Sequence, residues 1–130
     1  MLLLSFCQKR LLPLVVVLLV WGGHTAELKA QDLDSLEQEL QRINNPREKT
    51  EALVKVAGQY LTINPSLSEQ YANEAVQAAG SGYAEGRGKA YLLLGQLAKN
   101  KFQFDQTMAY YSQALSIFRQ NDQRDMAARA

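Results

Sequence analysis

The chain has 130 residues, of which 47% are hydrophobic and 21% are charged. This composition is typical of one globular unit and excludes a disordered or collagen-like chain. The formal net charge is only +1, and the basic residues are interspersed with acidic ones. The sequence therefore has no basic patch that could neutralise several phosphates, and nucleic acid is excluded as a partner.

Residues 1–30 have the layout of a secretory signal peptide. Lys9-Arg10 precedes an apolar run over residues 11–21, and small and polar residues follow as far as Ala30. A charged start, an apolar centre of about 7–15 residues and a small residue at the cleavage site define such peptides. Pro13 interrupts the run, and a membrane-spanning helix needs about 20 apolar residues. We therefore predict cleavage near Ala30 and a periplasmic or secreted protein, with an uncleaved membrane anchor as the alternative.

Cleavage would remove the side chains best suited to metal and redox chemistry. Cys7 is the only cysteine and His24 the only histidine, and both precede the predicted cleavage site. Without residues 1–30 the chain keeps 11 basic and 12 acidic residues. The mature protein is expected to be near neutral, without disulfides and without a Cys/His metal site.

The first mature segment, residues 31–44, is predicted to be a packing helix. Its leucines and one isoleucine recur at spacings of three and four, which places them on one helix face: Leu33, Leu36, Leu40 and Ile43. The acidic residues Asp32, Asp34, Glu37 and Glu39 are assigned to the polar face, where acids near a helix start also favour the helix dipole.

A second helix begins after Asn45. Asn45 can cap it, Pro46 suits the first turn, and Glu48 is placed as the acid of a capping box. Its apolar stripe contains Leu53, Val56, Ala57, Tyr60 and Leu61, and the helix is expected to end near Thr62.

A third helix is predicted after the turn at Asn64-Pro65. The sequence Ser66-Leu67-Ser68-Glu69 has the S-x-x-E pattern of a capping box, so Ser66 is expected to cap this helix. Gly80 is expected to end it, because glycine readily adopts positive φ.

Two further helices complete the chain. The fourth has Tyr91, Leu94, Gly95 and Ala98 on one face. The fifth has a longer stripe, composed of Phe104, Thr107, Met108, Tyr111, Ala114, Leu115 and Phe118. Residues 122–130 resemble the start of the second helix pair and are predicted to begin a further helix or a cap. Period-two alternation is never sustained, so the predicted fold class is all-α.

The helices form two similar pairs. Tyr71-Ala72-Asn73-Glu74-Ala75-Val76 recurs 39 positions later as Tyr110-Tyr111-Ser112-Gln113-Ala114-Leu115. Val56-Ala57 corresponds to Leu94-Gly95 with an offset of 38. This period predicts a helical-hairpin solenoid with repeats at residues 45–82 and 83–121.

The second pair resembles the tetratricopeptide repeat (TPR) family. The matching residues are Tyr91, Leu94, Gly95, Phe104, Tyr111 and Ala114, and the first pair fits more loosely through Val56, Ala57, Tyr60, Ala72 and Ala75. The pattern departs where Ala98 replaces a tyrosine, Phe102 a glycine and Thr107 an alanine. The repeat length is similar to that of the TPR region preceding the membrane helix in bacterial sensor histidine kinases and transcription regulators.

The TPR resemblance implies a concave groove lined by the first helix of each pair. The corresponding positions are Glu51, Val54, Gly58, Lys89, Leu92, Gln96, Lys99 and Asn100. Leu92 and Gln96 occupy two positions where the carboxylate-clamping subgroup has basic and asparagine residues, so that mode is not expected. Lys89 and Lys99 are expected to be solvated.

Catalysis finds little support in the sequence. The mature chain has no cysteine, the usual thiol nucleophile, and no histidine, the commonest general base. It also has no G-x-S-x-G or P-loop pattern. Gly86-Arg87-Gly88 is assigned to a loop between the repeats. Neither a cofactor nor enzymatic activity is expected.

The leading functional hypothesis is an exported module that binds a protein or peptide in its groove. The alternative is a truncated sensory region of a bacterial signalling protein. Met108, Leu115 and Phe118 would have little to cover them, so self-association through the C-terminal end is also expected.

Overall fold

The computed structural model describes residues 32–129, and this part of the chain is helical with short connections and contains no strand. Helix α1 covers residues 32–42. The others are α2 (Pro46–Tyr60), α3 (Pro65–Ala79), α4 (Ala84–Asn100) and α5 (Phe104–Arg129). The all-α prediction is confirmed for these residues. The signal-peptide prediction, with Cys7, His24 and the cleavage site at Ala30, lies outside them.

Asparagine side chains cap two of the helices. The Asn45 side chain accepts hydrogen bonds from the backbone N–H of Arg47 and Glu48, as predicted. The predicted cap of α3 is wrong. Asn64 accepts from Leu67 N–H and α3 begins at Pro65, so Ser66 lies within the first turn. Asn64 is preferred because Pro65, which lacks an N–H, fits the first helical position.

Two connections place a residue at positive φ. Gly80 follows α3 with φ +50°, as expected for a glycine that ends a helix. Phe102, between α4 and α5, has φ +58° although it carries a side chain. The left-handed region costs such a residue about 1–2 kcal/mol. Phe102 therefore adopts a backbone conformation that glycine would adopt without this cost.

Consecutive helices pack against each other. Contacts join α2 to α3, α3 to α4 and α4 to α5, and α2 also contacts α4. The connections span only three or four residues, so neighbouring helices run antiparallel. The described chain therefore consists of two hairpins, α2–α3 and α4–α5, with the first helix of each in contact.

The core has two neighbouring clusters of buried apolar side chains. The first contains Leu40, Leu53, Val56, Ala75 and Ala90. The second contains Ala57, Ala72, Leu94 and Leu97. Leu40 lies on α1, so this helix contributes to the core of the first hairpin as its leucine pattern predicted.

Small residues allow close helix crossings in both hairpins. Ala57 packs in one cluster with Ala72, and Gly95 lies directly against the ring of Tyr111. These pairs occupy the positions that the repeat offset relates, so the packing is compatible with a helical repeat. The prediction that Gly95 lies at a close crossing is confirmed, since a Cβ atom there would overlap the ring.

The loop assignment of Gly86-Arg87-Gly88 is wrong. Both glycines lie within α4 and are buried. A side chain on Gly86 would overlap Tyr83 and Thr50, and one on Gly88 would overlap Phe118. These glycines allow neighbouring side chains to approach the α4 backbone, and that need outweighs their poor helix propensity.

Helix α5 extends further than its apolar stripe suggested. It continues without a break to Arg129, so residues 122–129 belong to α5 and do not begin a new helix. Thr107, Ala114 and Ile117 are its buried residues. Met108 and Leu115 are exposed as expected, whereas Phe118 is partly buried against α4.

Candidate binding groove

The predicted groove positions lie on two helices that are in contact. Lys89 Nζ on α4 lies 3.2 Å from Glu51 Oε1 on α2. Val54 is partly buried, and the other five positions are exposed. Gly58 on α2 is exposed, as are Leu92, Gln96, Lys99 and Asn100 on α4. The structure thus brings Glu51 and Lys89 together and leaves the other positions on the accessible faces of α2 and α4.

An open cleft of about 910 Å³ lies along α2. Most of its lining residues belong to α2, and the others come from α1, the α1–α2 connection and α4. The lining residues are Leu36, Glu39, Ile43, Arg47, Glu48, Glu51, Ala52, Val54, Lys55 and Lys89. Only Glu51, Val54 and Lys89 among these belong to the predicted groove set.

Helix α1 was not expected to contribute to the groove. Leu36 and Ile43 were assigned to its core face, yet both line the cleft. Leu36 also packs against the first core cluster, so it contacts both the core and the cleft. The leucine periodicity of α1 predicted an apolar face, but periodicity alone does not distinguish a core contact from the side of a groove.

Glu51 is held at one end of the cleft by two side chains. Tyr83 donates its hydroxyl hydrogen bond to Glu51 Oε1, the same oxygen that Lys89 approaches. The hydrogen bond from Tyr83 lowers the pKa of the Glu51 carboxyl below its ordinary value, and the contact with Lys89 adds to this. Glu51 is therefore ionised at neutral pH.

Lys89 is ion-paired on α4 as well. Its Nζ lies 2.9 Å from Glu85 Oε1. The hydrogen bond to Glu85, and then that to Glu51, raise the pKa of the Lys89 ammonium. The expectation that Lys89 is simply solvated is therefore wrong, because its ammonium group forms ion pairs with Glu51 on α2 and Glu85 on α4.

Tyr83 connects the α3–α4 turn to α2. Burial, followed by the contact with Glu51, raises the pKa of its phenol. The guanidinium carbon of Arg47 lies 4.8 Å from the centre of the Tyr83 ring, a distance at which a cation is attracted to the ring face. Tyr83 is not among the predicted groove residues, because sequence spacing gives no sign of these contacts.

Other polar groups of the cleft are accessible. Glu39, Glu48 and Lys55 are exposed, and their side chains have no hydrogen bond or ion pair within residues 32–129. They surround the apolar surface of Leu36, Ile43 and other lining residues. Apolar surface combined with accessible charged side chains is suited to holding a polypeptide through side-chain burial and polar contacts.

Glu37 has a structural role on α1. Its Oε1 accepts hydrogen bonds from Tyr60 at 2.8 Å and from Tyr71 at 3.0 Å. The two tyrosine rings stack with centroids 5.9 Å apart. Burial, and then the Glu37 carboxylate, raise the pKa of Tyr71 to about 12. Glu37 thus joins α1 to α2 and α3, a role that its predicted place on the polar face of α1 did not indicate.

No group of three or more His, Cys, Asp or Glu side chains in residues 32–129 is arranged to hold a metal ion. In the same part of the chain, no helix is both long and apolar enough to cross a membrane.

Comparisons with known proteins return no match: no family model fits the sequence, and neither a curated protein nor a solved structure is significantly similar to it.

Proposed function

We propose that the chain is an exported helical-repeat module of the TPR type that binds a protein or peptide in the groove over α2, and that it is not an enzyme. The cleft along α2 carries this proposal, because it combines accessible apolar surface with charged side chains that have no partner within the described chain. Export is proposed from the pattern of residues 1–30.

The TPR assignment is supported by the recurrence of the hairpins. The first helices α2 and α4 are in contact, as a groove built from successive first helices requires. Ala57 and Gly95 occupy related positions at close crossings. Proteins of this architecture commonly bind partners on the concave surface created by stacking.

The rim of the cleft indicates a partner with both charge signs and some apolar side chains. Glu39 and Glu48 are acidic, whereas Arg47 and Lys55 are basic, and all four are exposed. A strongly acidic or strongly basic ligand would meet like charges in this rim, and like charges disfavour binding. A mixed, partly apolar polypeptide segment fits better.

Photo-cross-linking in the native host tests this proposal. A benzoyl-phenylalanine is introduced at Lys55 on the rim of the cleft or at Gln96 on α4. The control position is Gln77 on α3, which is also exposed. We expect the first two positions to form a specific adduct with one protein, and Gln77 to form none.

A charge-reversal variant tests whether the two positions contact the same partner. The charge reversal Lys55→Glu should weaken the adduct formed at Gln96, because both positions face the same partner. Equal adducts at all three positions, or none at Lys55 and Gln96, would exclude the groove as a binding surface.

A further inference from the structure

Helix α5 carries an exposed apolar stripe, defined here as Phe104, Met108, Leu115 and Met126. Their exposed fractions are 65%, 65%, 50% and 66% respectively. At 3.6 residues per turn, these four positions lie within about 40° of one another around the helix axis. They therefore lie along one line of α5, which also contains the exposed Asp122 between Leu115 and Met126. None of the four lines the cleft over α2.

The middle of α5 is also uncharged. Residues 106–118 include no Asp, Glu, Lys or Arg. The exposed residues beside the stripe are small, namely Ala109, Ser112 and Ser116. Solvated helix faces usually carry charges of both signs, so this face has the character of an interface and not of a free surface.

The last part of α5 has few contacts within the described chain. Residues 119–129 are exposed except for Asn121, which is partly buried. Isolated helices shorter than about 12–15 residues are only marginally stable in water. A contact that covers Met126 would stabilise this segment.

The two ends of the stripe, Phe104 and Met126, are equally distant from Leu115. Phe104 precedes Leu115 by the same number of residues by which Met126 follows it. Two α5 helices that pack antiparallel about a two-fold axis at Leu115 would place Phe104 of one copy opposite Met126 of the other. Residues 112–118, all uncharged, would then face the same residues of the other copy, which avoids like-charge repulsion at the centre. Met108 of one copy would lie opposite Asp122 of the other.

The available area is near what a stable dimer needs. At about 200 Å² for a large side chain, the exposed parts of the stripe amount to roughly 500 Å² per copy. Two copies would bury about 1,000 Å² of apolar surface before the flanks are counted, and specific dimers bury about 1,200–2,000 Å² in total. The small flanking residues would supply the remainder by allowing the two helices to approach closely.

From these observations we propose that a second copy of this chain covers the α5 stripe, in an antiparallel two-fold contact centred on Leu115. This dimer goes beyond the proposed groove function, because it uses a different helix. It leaves the cleft over α2 available in each copy.

Cysteine cross-linking of the full chain tests both the contact and its direction. The background is Cys7→Ser, which removes the only cysteine. Under mild oxidation, Leu115→Cys should form a covalent dimer, because residues on the axis face their own copies. Phe104→Cys alone should not, because two copies of residue 104 would lie about 33 Å apart along the helices.

A mixture of Phe104→Cys and Met126→Cys chains should give the mixed dimer. Gln96→Cys on α4 is the control for random collision. A parallel pair would instead cross-link Phe104→Cys to itself, and that result overturns the proposal. Leu115→Cys dimers forming no faster than those of Gln96→Cys would overturn it too, as expected if another protein or the chain itself covers the stripe.

Sedimentation of the full chain with a charge on the axis gives an independent readout. Leu115→Glu places two like charges against each other and should raise the dimer dissociation constant by about a hundredfold or more. Gln120→Glu adds the same charge to an exposed position away from the stripe and should leave the constant nearly unchanged. A monomeric parent chain at all concentrations would refute the dimer without affecting the groove proposal.

Discussion

Glu51 shows how individual residues connect the two hairpins. Its carboxylate accepts a hydrogen bond from the Tyr83 hydroxyl and lies beside Lys89. One side chain of α2 therefore contacts both the α3–α4 turn and α4. Glu37 acts similarly between α1 and the tyrosines Tyr60 and Tyr71. Each carboxylate accepts hydrogen bonds from groups far away in sequence, and such contacts orient the helices as well as stabilising them.

The contact of Glu51 predicts a pH dependence of stability. Its pKa in the folded chain is lowered, chiefly by the hydrogen bond from Tyr83. The stabilisation is therefore present above the unfolded-state pKa of about 4.3 and is lost as the pH falls through the folded-state pKa. We expect Glu51→Gln to be less stable than the parent chain at pH 7, and this difference to disappear at strongly acidic pH in urea unfolding experiments.

The size of that difference is limited by solvent, since the Glu51 side chain is 44% exposed. Exposed ion pairs contribute about 0.2–1 kcal/mol. Tyr83→Phe removes the main donor and serves as the second variant of a double-mutant cycle. Strictly additive effects of the two substitutions at pH 7 would show that the Tyr83 hydrogen bond does not stabilise the fold.

At the scale of helices, small residues determine where two helices meet. Gly88 and Gly95 lie on the side of α4 that faces α5, and the rings of Phe118 and Tyr111 occupy the space that a side chain would take. The α4–α5 crossing therefore depends on glycine, whereas the related α2–α3 crossing has Ala57. The aromatic residues of α5 are large enough to fill the gap that the missing side chains leave.

Glycine substitutions in α2 and α4 should consequently have opposite effects. Gly58 has no atom of another element within 4 Å of where a Cβ would be, so Gly58→Ala should stabilise the chain by up to about 1 kcal/mol through helix propensity. Gly95→Leu should destabilise it by about 1–3 kcal/mol or more, because the side chain would displace Tyr111. Thermal unfolding followed by circular dichroism measures both.

Gly95→Ala is the closer match to Gly58→Ala and should still lower the melting temperature. A rise with Gly95→Ala similar to that with Gly58→Ala would mean that the Tyr111 ring moves away without cost and that this crossing is not closely packed.

Over the whole molecule, the groove and the α5 stripe are separate surfaces of one helical array. The groove uses α1, α2 and α4, whereas the stripe lies on α5. A dimer through α5 would therefore present two grooves, and partners with two binding segments would gain affinity from both.

Export itself remains a prediction at this scale. The charged start, apolar run and small residues of residues 1–30 predict removal by a signal peptidase. Mass spectrometry of the protein from its native host should show a mature N-terminus near Gln31. Recovery of the chain with Met1 intact from the cytosolic fraction would contradict both export and the proposed site of action.

The sequence alone determined the helices, their approximate ends and their relation as two similar pairs. These features depend on residues close in sequence: the Asn45 cap reaches three positions at most, and the apolar stripes repeat every three or four. Even the wrong cap of α3 was an error of only two positions, since Asn64 and Ser66 both suit that role chemically. The close crossing at Gly95 also followed from the repeat.

Only the tertiary structure decided which side chains meet. Glu51 and Lys89 are 38 positions apart, and Glu37 and Tyr71 are 34 apart, so their contacts depend on the angle and offset at which helices cross. The same geometry placed α1 beside the groove and buried Gly86 and Gly88 inside α4. A helical pattern specifies which face is apolar, but the packing of whole helices determines whether that face meets the core, a groove or solvent.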